Sequence, residues 1–231
     1  MSRERRTTPD DEPDEPAHDT TRLVTCADGS LALERDGLWL RGDLTRMLPR
    51  LRPSNLRREL LVRAARVRGT RMPTAVDATA GLGEDALLLA ASGFAVTLFE
   101  RDQSIAALLR DSLQRAAQDS RLAEAVGRMQ LVEGDAKEGL ATLSTPPDVV
   151  YLDPMFPAKR KDAATNKKLQ LLRSLERPCT EEEAGALLHA ALAAGPRKVV
   201  IKRPARGAHL ADVRPSHSLM GKLVRYDCIV Q

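Results

Sequence analysis

Aromatic side chains are scarce, at 3% of 231 residues: Trp39, Phe94, Phe99, Tyr151, Phe156 and Tyr226. A base-stacking sheet of the RRM or OB type needs more of them, which argues against that class. Only three cysteines occur (Cys26, Cys179, Cys228), far apart and without a CxxC pair or zinc-type histidine spacing. A disulfide scaffold and a zinc finger are thereby excluded, and a reducing cytosol is the expected compartment. The four histidines, His18, His189, His209 and His217, show no spacing for a metal or for base catalysis, so no metal is expected. No apolar run approaches the roughly 18 residues of a membrane helix. Met1 to Thr20 is polar and acidic, unlike a signal peptide. What remains is ample for a core: 42% hydrophobic and 29% charged residues, enough for one domain with an appendage or two small ones.

Charge is unevenly spread. Residues 1–20 hold seven acids and three arginines, whereas residues 41–71 hold ten arginines against Asp43 and Glu59. A second basic block, residues 158–177, includes Lys159, Arg160, Lys161, Lys167 and Lys168. Two such blocks on a globular chain suit a phosphate-rich partner. Arginine-rich codon usage explains them equally well, since Arg outnumbers Lys 28 to 8.

Residues 1–20 contain too little apolar surface to offset ordering entropy, and disorder is expected there. Leu23–Leu40 reads as short strands punctuated by Asp28-Gly29 and Asp36-Gly37. The spacing of Leu56, Leu60, Leu61, Ala64 and Val67 predicts one helix from Pro53 to Gly69, with Arg57, Arg58, Arg63, Arg66 and Arg68 on its other face. From Pro73 the pattern becomes strand–helix alternation. Strands are expected at 74–78, 95–99, 129–132, 148–152, 198–202 and 223–230, with helices at 84–92, 104–118 and 181–194. That alternation predicts a parallel sheet with helices on both faces. Ligands of such sheets bind beyond the carboxyl ends of the strands, so the residues there carry the functional information.

The first strand leads into Asp77-Ala78-Thr79-Ala80-Gly81-Leu82-Gly83-Glu84-Asp85. Gly81 and Gly83 allow a sharp turn and close approach of a ligand. Asp77 suits a positive or hydroxyl-bearing ligand, and together with Glu84 and Asp85 it argues against a dinucleotide pyrophosphate. Glu100-Arg101 follows the second strand, 17 residues beyond Gly83 and near the spacing of about 20 expected for a ribose-binding acid. Its carboxylate can accept both ribose hydroxyls, which leaves NAD and S-adenosylmethionine (SAM) both possible. Glu133-Gly134-Asp135-Ala136, after the third strand, offers a partner for an adenine amine or is a plain turn.

Tyr151-Leu152-Asp153-Pro154-Met155-Phe156-Pro157, after the fourth strand, is the most specific signal. A [DN]-P-x-[FY] tetrapeptide there suits methyl transfer to an sp² amino nitrogen. The Asp153 carboxylate and a main-chain carbonyl fixed by Pro154 can accept the two N–H bonds, and Phe156 can stack on the base. Lys202-Arg203-Pro204-Ala205-Arg206 follows the fifth strand and is expected to put positive charge at the pocket mouth.

The stretches VDATAGLGEDALLLAASG, LFERD, VVYLDPMFP and VVIKRP resemble the ribosomal RNA small subunit methyltransferase J family over residues 73–231. The resemblance implies an α/β, Rossmann-like class I methyltransferase: a mostly parallel seven-stranded sheet with helices on both faces, plus a small N-terminal extension. It implies SAM as cofactor, N2 of one guanine as target, and 16S rRNA or the small ribosomal subunit as partner. Cofactor contacts are implied at Glu84, Asp85, Glu100, Arg101, Asp135, Ala136 and Asp153. The expected organisation is a disordered acidic tail (1–22), an Arg-rich β/helix region (23–72) and a methyltransferase domain (73–231). The remaining alternatives are an NAD-dependent oxidoreductase built on Gly81, Gly83 and Glu100, and an RNA-binding or ribosome-assembly protein with an inactive pocket.

Overall fold

Short, nearly continuous apolar runs along the central strands set the layering, successive side chains entering opposite faces. In the computed structural model, which describes residues 21–35, 37–154 and 179–231, seven strands form one twisted sheet. Ahead of it lies a three-stranded antiparallel sheet of β1 (Arg22–Thr25), β2 (Leu31–Arg35) and β3 (Leu38–Leu40). The main sheet comprises β4 (Thr74–Asp77), β5 (Ala95–Glu100), β6 (Met129–Glu133), β7 (Val149–Leu152), β8 (Lys198–Pro204), β9 (His217–Met220) and β10 (Val224–Val230). Its order is β6-β5-β4-β7-β8-β10-β9. Strands β4 to β8 run parallel, and β10 is antiparallel to both of its neighbours. Strand order reverses between β4 and β7, and the crevice for a ligand opens there.

Helices cover both faces, as the alternation requires. One face carries α1 (Leu48–Leu51), α2 (Pro53–Leu56), α3 (Leu60–Ala65), α4 (Glu84–Ala91), α5 (Gln103–Ala117) and α6 (Ala123–Val126); the other carries α7 (Ala136–Ala141) and α8 (Glu181–Ala193). Val149 and Tyr151 of β7 enter the first core, and Val150 and Leu152 enter the second. This is the period of two expected of a strand buried on both sides. Each fully buried leucine, such as Leu87 or Leu188, contributes about 1.5–3 kcal/mol by leaving water. Among the described residues no helix is long and apolar enough to cross a membrane.

The Arg-rich segment departs from expectation. Instead of one helix from Pro53 to Gly69, that stretch forms two short helices, α2 and α3, with α1 ahead of it. The backbone leaves the helical region at Arg52 (ψ 135°) and Glu59 (ψ 125°). The break at Arg52 separates α1 from α2, because a residue before proline avoids helical geometry, and Pro53 opens a helix as expected. At the second, Glu59 folds back on α1 and accepts two bonds from Arg50, both 2.8 Å. Leu44, Met47, Leu61, Ala64 and Ala65 join the core of the main sheet. Leu33 and Leu40 pack with Leu82, Ile105 and Leu108.

Candidate active site

The carboxyl ends of β4, β5, β6 and β7 converge on one cavity of about 760 Å³. Its wall includes Asp77, Gly81, Glu84, Asp85, Glu100, Arg101, Asp135, Ala136, Asp153 and Pro154, residues scattered over 78 positions of sequence. Phe156 lies outside the described residues, as do Lys159, Arg160, Lys161, Lys167, Lys168 and residues 1–20. Gly83 is not part of the wall. It sits at φ 76°, and a Cβ there would lie 2.7 Å from Leu109 Cδ1, so its small size serves packing of the loop on α5. Gly81, at φ 53°, has open space where a Cβ would be and presents bare backbone to the cavity.

Local bonds fix each acid. Asp77, at the end of β4, is 1% exposed, and its Oδ1 accepts the Thr79 amide at 3.0 Å. Burial raises its carboxyl to about 7, with the Thr79 bond acting in the opposite direction. Glu100 ends β5. Its Oε2 accepts the Gly81 amide and its Oε1 the Asp102 amide, each at 2.9 Å. Burial raises its pKa, and these two amide bonds oppose that rise. Glu100 therefore ties the glycine loop to the start of α5, a structural duty the sequence did not disclose. Asp102 caps α5 by accepting from Ser104 N and Ile105 N, both 2.9 Å. Asp135 caps α7 through Lys137 N at 2.8 Å.

The end of β7 carries the densest arrangement. Lys202 Nζ, from β8, lies 2.8 Å from Asp85 Oδ2 and 2.8 Å from Asp153 Oδ2. Tyr151 donates its hydroxyl to Asp85 Oδ2 at 2.6 Å, and Asp153 N donates to Thr79 Oγ1 at 2.7 Å. Burial works to raise the Asp85 pKa, but Lys202 and the Tyr151 bond outweigh it and hold the carboxyl below its ordinary value. Burial likewise works to lower the Lys202 pKa, and the two carboxylates reverse that, so Lys202 stays charged. Lys202 and Arg203 are thus not open positive charge at the mouth, as expected from sequence. Lys202 is neutralised by two acids, and Arg203 is buried with its Nε bonded to Ala208 O.

Sequence reasoning missed Thr79, Asp102, Arg50 and the bridging role of Lys202. An Asp-x-Thr turn and a lysine at a strand end were the available signals. Tyr151 was named as an aromatic near Asp153, yet it is 1% exposed and tilts against Tyr226 at 6.5 Å. Its ring is unavailable for stacking on a substrate. Among the described residues no group of three or more His, Cys, Asp or Glu could hold a metal ion.

Residues 43–231 match the SAM_MT family model of SAM-dependent methyltransferases. The chain belongs to this family. It is also 46% identical over 178 residues to Ribosomal RNA small subunit methyltransferase J of Thioalkalivibrio sulfidiphilus, a match covering 76% of this chain and 69% of that one. The protein of the same name from Aeromonas salmonicida is 45% identical over 75% of this chain and 70% of its own. Among solved structures, a SAM-dependent methyltransferase from Neisseria gonorrhoeae superimposes with a TM-score of 0.74 at 31% identity, over 94% of this chain and 85% of that one.

The SAM_MT assignment decides between the cofactors left open by Glu100: the protein is SAM-dependent. The cavity fits that cofactor chemically. It offers a buried acid for an ammonium group, a second acid for a hydroxyl pair, and open backbone at Gly81 between them. Seven strands, mostly parallel and covered on both faces, are likewise the class I methyltransferase architecture.

Proposed function

We propose that the protein methylates the exocyclic N2 of a guanine in 16S ribosomal RNA of the small subunit. Support comes from the names of its relatives and from the placement of Asp153 and Pro154 in the cavity wall beyond the strand-order reversal. That placement is the observation that carries the reading. Asp77 holds the cofactor's ammonium group, Glu100 its ribose hydroxyls, and Asp135 with Ala136 its adenine. Gly81 gives its backbone room, Glu84, Asp85 and Arg101 line its bed, and Gly83 shapes the loop from behind.

SAM supplies an electrophilic methyl group on sulfur. The remaining task is to present a weak nucleophile, because the lone pair of a guanine amine is delocalised into the ring. The Asp153 carboxylate accepts one N–H, and a main-chain carbonyl next to Pro154 accepts the other. These bonds turn the lone pair toward the methyl carbon, and alignment of the reacting atoms supplies most of the acceleration. Lys202 and Thr79 hold Asp153 at both its side chain and its amide, so its aim is set before substrate arrives. Bound SAM would exchange its methyl–sulfur bond for a bond to the nitrogen so presented, and one N–H proton would be released to solvent. Phe156 is assigned to stacking on the base. Guanine must leave its stack to enter the cavity, so accessible or partly assembled RNA is the substrate.

The test is transfer of tritiated methyl groups to undermethylated small-subunit RNA, followed by digestion to nucleosides. Label in N2-methylguanosine is expected. Label in another nucleoside, or none in RNA, overturns the reading.

A further inference from the structure

The ten arginines in residues 41–71 suit a phosphate-rich partner and Arg-rich codon usage equally well as sequence, and the structure divides them. Arg41, Arg46 and Arg50 pair with Asp28, Asp43 and Glu59. Arg52, Arg57, Arg58, Arg63, Arg66, Arg68 and Arg71 are exposed and form no ion pair or side-chain hydrogen bond among the described residues. Four of the seven, Arg58, Arg66, Arg68 and Arg71, lie toward two different edges of the sheet. Lys198 Nζ, at the start of β8, donates to Arg66 O at 2.8 Å, and Arg197 donates to Arg68 O at 2.8 Å. Arg66, Arg68 and Arg71 therefore lie at the amino edge of the sheet, opposite the cavity. Seven residues of β8 separate the edges, about 20 Å at roughly 3.3 Å per residue.

Arg58 lies at the other edge. With Arg50, Asn55 and Tyr226 it lines a shallow groove of about 380 Å³. Val224 and Tyr226 at the groove pair with Pro204 and Lys202 at the carboxyl end of β8, so the groove opens at the cavity's own edge. Arg50 lines both spaces. Glu59 also faces the groove, but its bidentate bond to Arg50 neutralises it. The charge left over at this wall is the Arg58 guanidinium, whose planar fork of donors matches phosphate oxygens.

We propose that this groove seats the sugar–phosphate strand flanking the target guanine, with Arg58 on a phosphate, and that Arg66, Arg68 and Arg71 take no part. A base drawn into the cavity must leave its backbone at the mouth, and among the described residues this groove, with Arg58 as its unneutralised charge, adjoins that mouth at Arg50. The proposal rests on the RNA substrate given above.

Two charge-reversal proteins test it: Arg58→Glu, and the triple change Arg66→Glu, Arg68→Glu, Arg71→Glu. The readouts are affinity for small-subunit RNA across a salt series, methyl transfer, and SAM affinity by calorimetry. Arg58→Glu is expected to weaken RNA binding at least tenfold and to reduce the log–log salt slope by about 1, as for loss of one phosphate contact. SAM affinity should not move. The triple change should leave RNA affinity within about twofold, a larger charge change with a smaller effect. Equal losses in both proteins, or wild-type RNA affinity in Arg58→Glu, overturn the groove while wild-type methylation of RNA still stands. A wild-type protein that neither binds nor methylates RNA removes the substrate reading, and the groove with it.

Discussion

Lys202 Nζ holds Asp153 Oδ2 at 2.8 Å while touching Asp85 Oδ2 at the same distance, so one ammonium fastens β8 to the segments after β4 and β7. Sequence could not show this, since the three residues are up to 117 positions apart.

Removing that ammonium leaves two carboxylates facing each other. Breaking a buried pair from one side costs about 3–5 kcal/mol, and the partial exposure of Asp153 lowers this toward about 2–4. Lys202→Met should therefore lower the thermal midpoint by about 4–16 °C for a chain of this size. Lys202→Arg should lose less. Adding Asp85→Asn to Lys202→Met should recover part of the loss, because it removes one of the stranded charges. Strict additivity in this double-mutant cycle, measured by thermal or urea unfolding, contradicts the bridge.

With Asp77 proposed to hold the cofactor's ammonium group, stability and cofactor affinity are expected to depend on pH in opposite senses. Its folded pKa of about 7 lies above the ordinary 3.8, so the folded chain binds this proton more tightly than the unfolded one. The stabilising contribution is complete below about pH 4 and is lost as pH rises through about 7. Cofactor-free Asp77→Asn should melt above wild type at pH 8 and approach it only near pH 4 and below. An ammonium ligand favours the ionised carboxylate, so SAM affinity should rise with pH up to about 7, with proton release on binding at pH 6. Calorimetry in two buffers of different ionisation enthalpy measures that proton.

Glu100 fastens the glycine loop and is proposed to hold the cofactor's ribose hydroxyls, and two measurements separate these roles. Loss of its bonds to ligand hydroxyls should weaken SAM binding by about 1–3 kcal/mol in Glu100→Ala. Loss of its bonds to Gly81 N and Asp102 N should lower the melting temperature of the cofactor-free protein as well. A variant with normal SAM affinity and a lowered melting point assigns Glu100 to the loop alone.

The two loop glycines should behave differently. Gly83→Ala drives a Cβ to 2.7 Å from Leu109 Cδ1 at a positive φ, and should cost about 1–3 kcal/mol of stability. Gly81→Ala meets open space, so it carries only its φ 53° strain and should chiefly weaken SAM binding. Urea unfolding beside SAM titration distinguishes them.

The parallel sheet was legible because strands buried on both faces are short apolar runs that alternate with helices. The edge strand β9 was not: His217-Ser218-Leu219-Met220 is mostly exposed and carries no apolar alternation. The helix expected over Pro53–Gly69 failed because its apolar spacing said nothing of the Arg50–Glu59 pair that folds it. Candidate site acids were readable from position alone, since a residue just beyond a parallel strand faces the crevice. Their supports, Lys202 and Thr79, come from other strand ends, and only the strand order brings them to Asp153.

The account turns on Asp153 acting in the chemistry. Single-turnover transfer of tritiated methyl groups from SAM to undermethylated small-subunit RNA, with SAM affinity and melting temperature measured on the same samples, tests it most directly. Asp153→Asn keeps the shape and one acceptor oxygen and should retain partial activity. Asp153→Ala should fall about a hundredfold or more, the scale of losing one preorganised polar group. Both should remain folded, with some loss of melting temperature from the freed Lys202. Wild-type turnover by folded Asp153→Ala contradicts the account and makes the loop after β7 a scaffold.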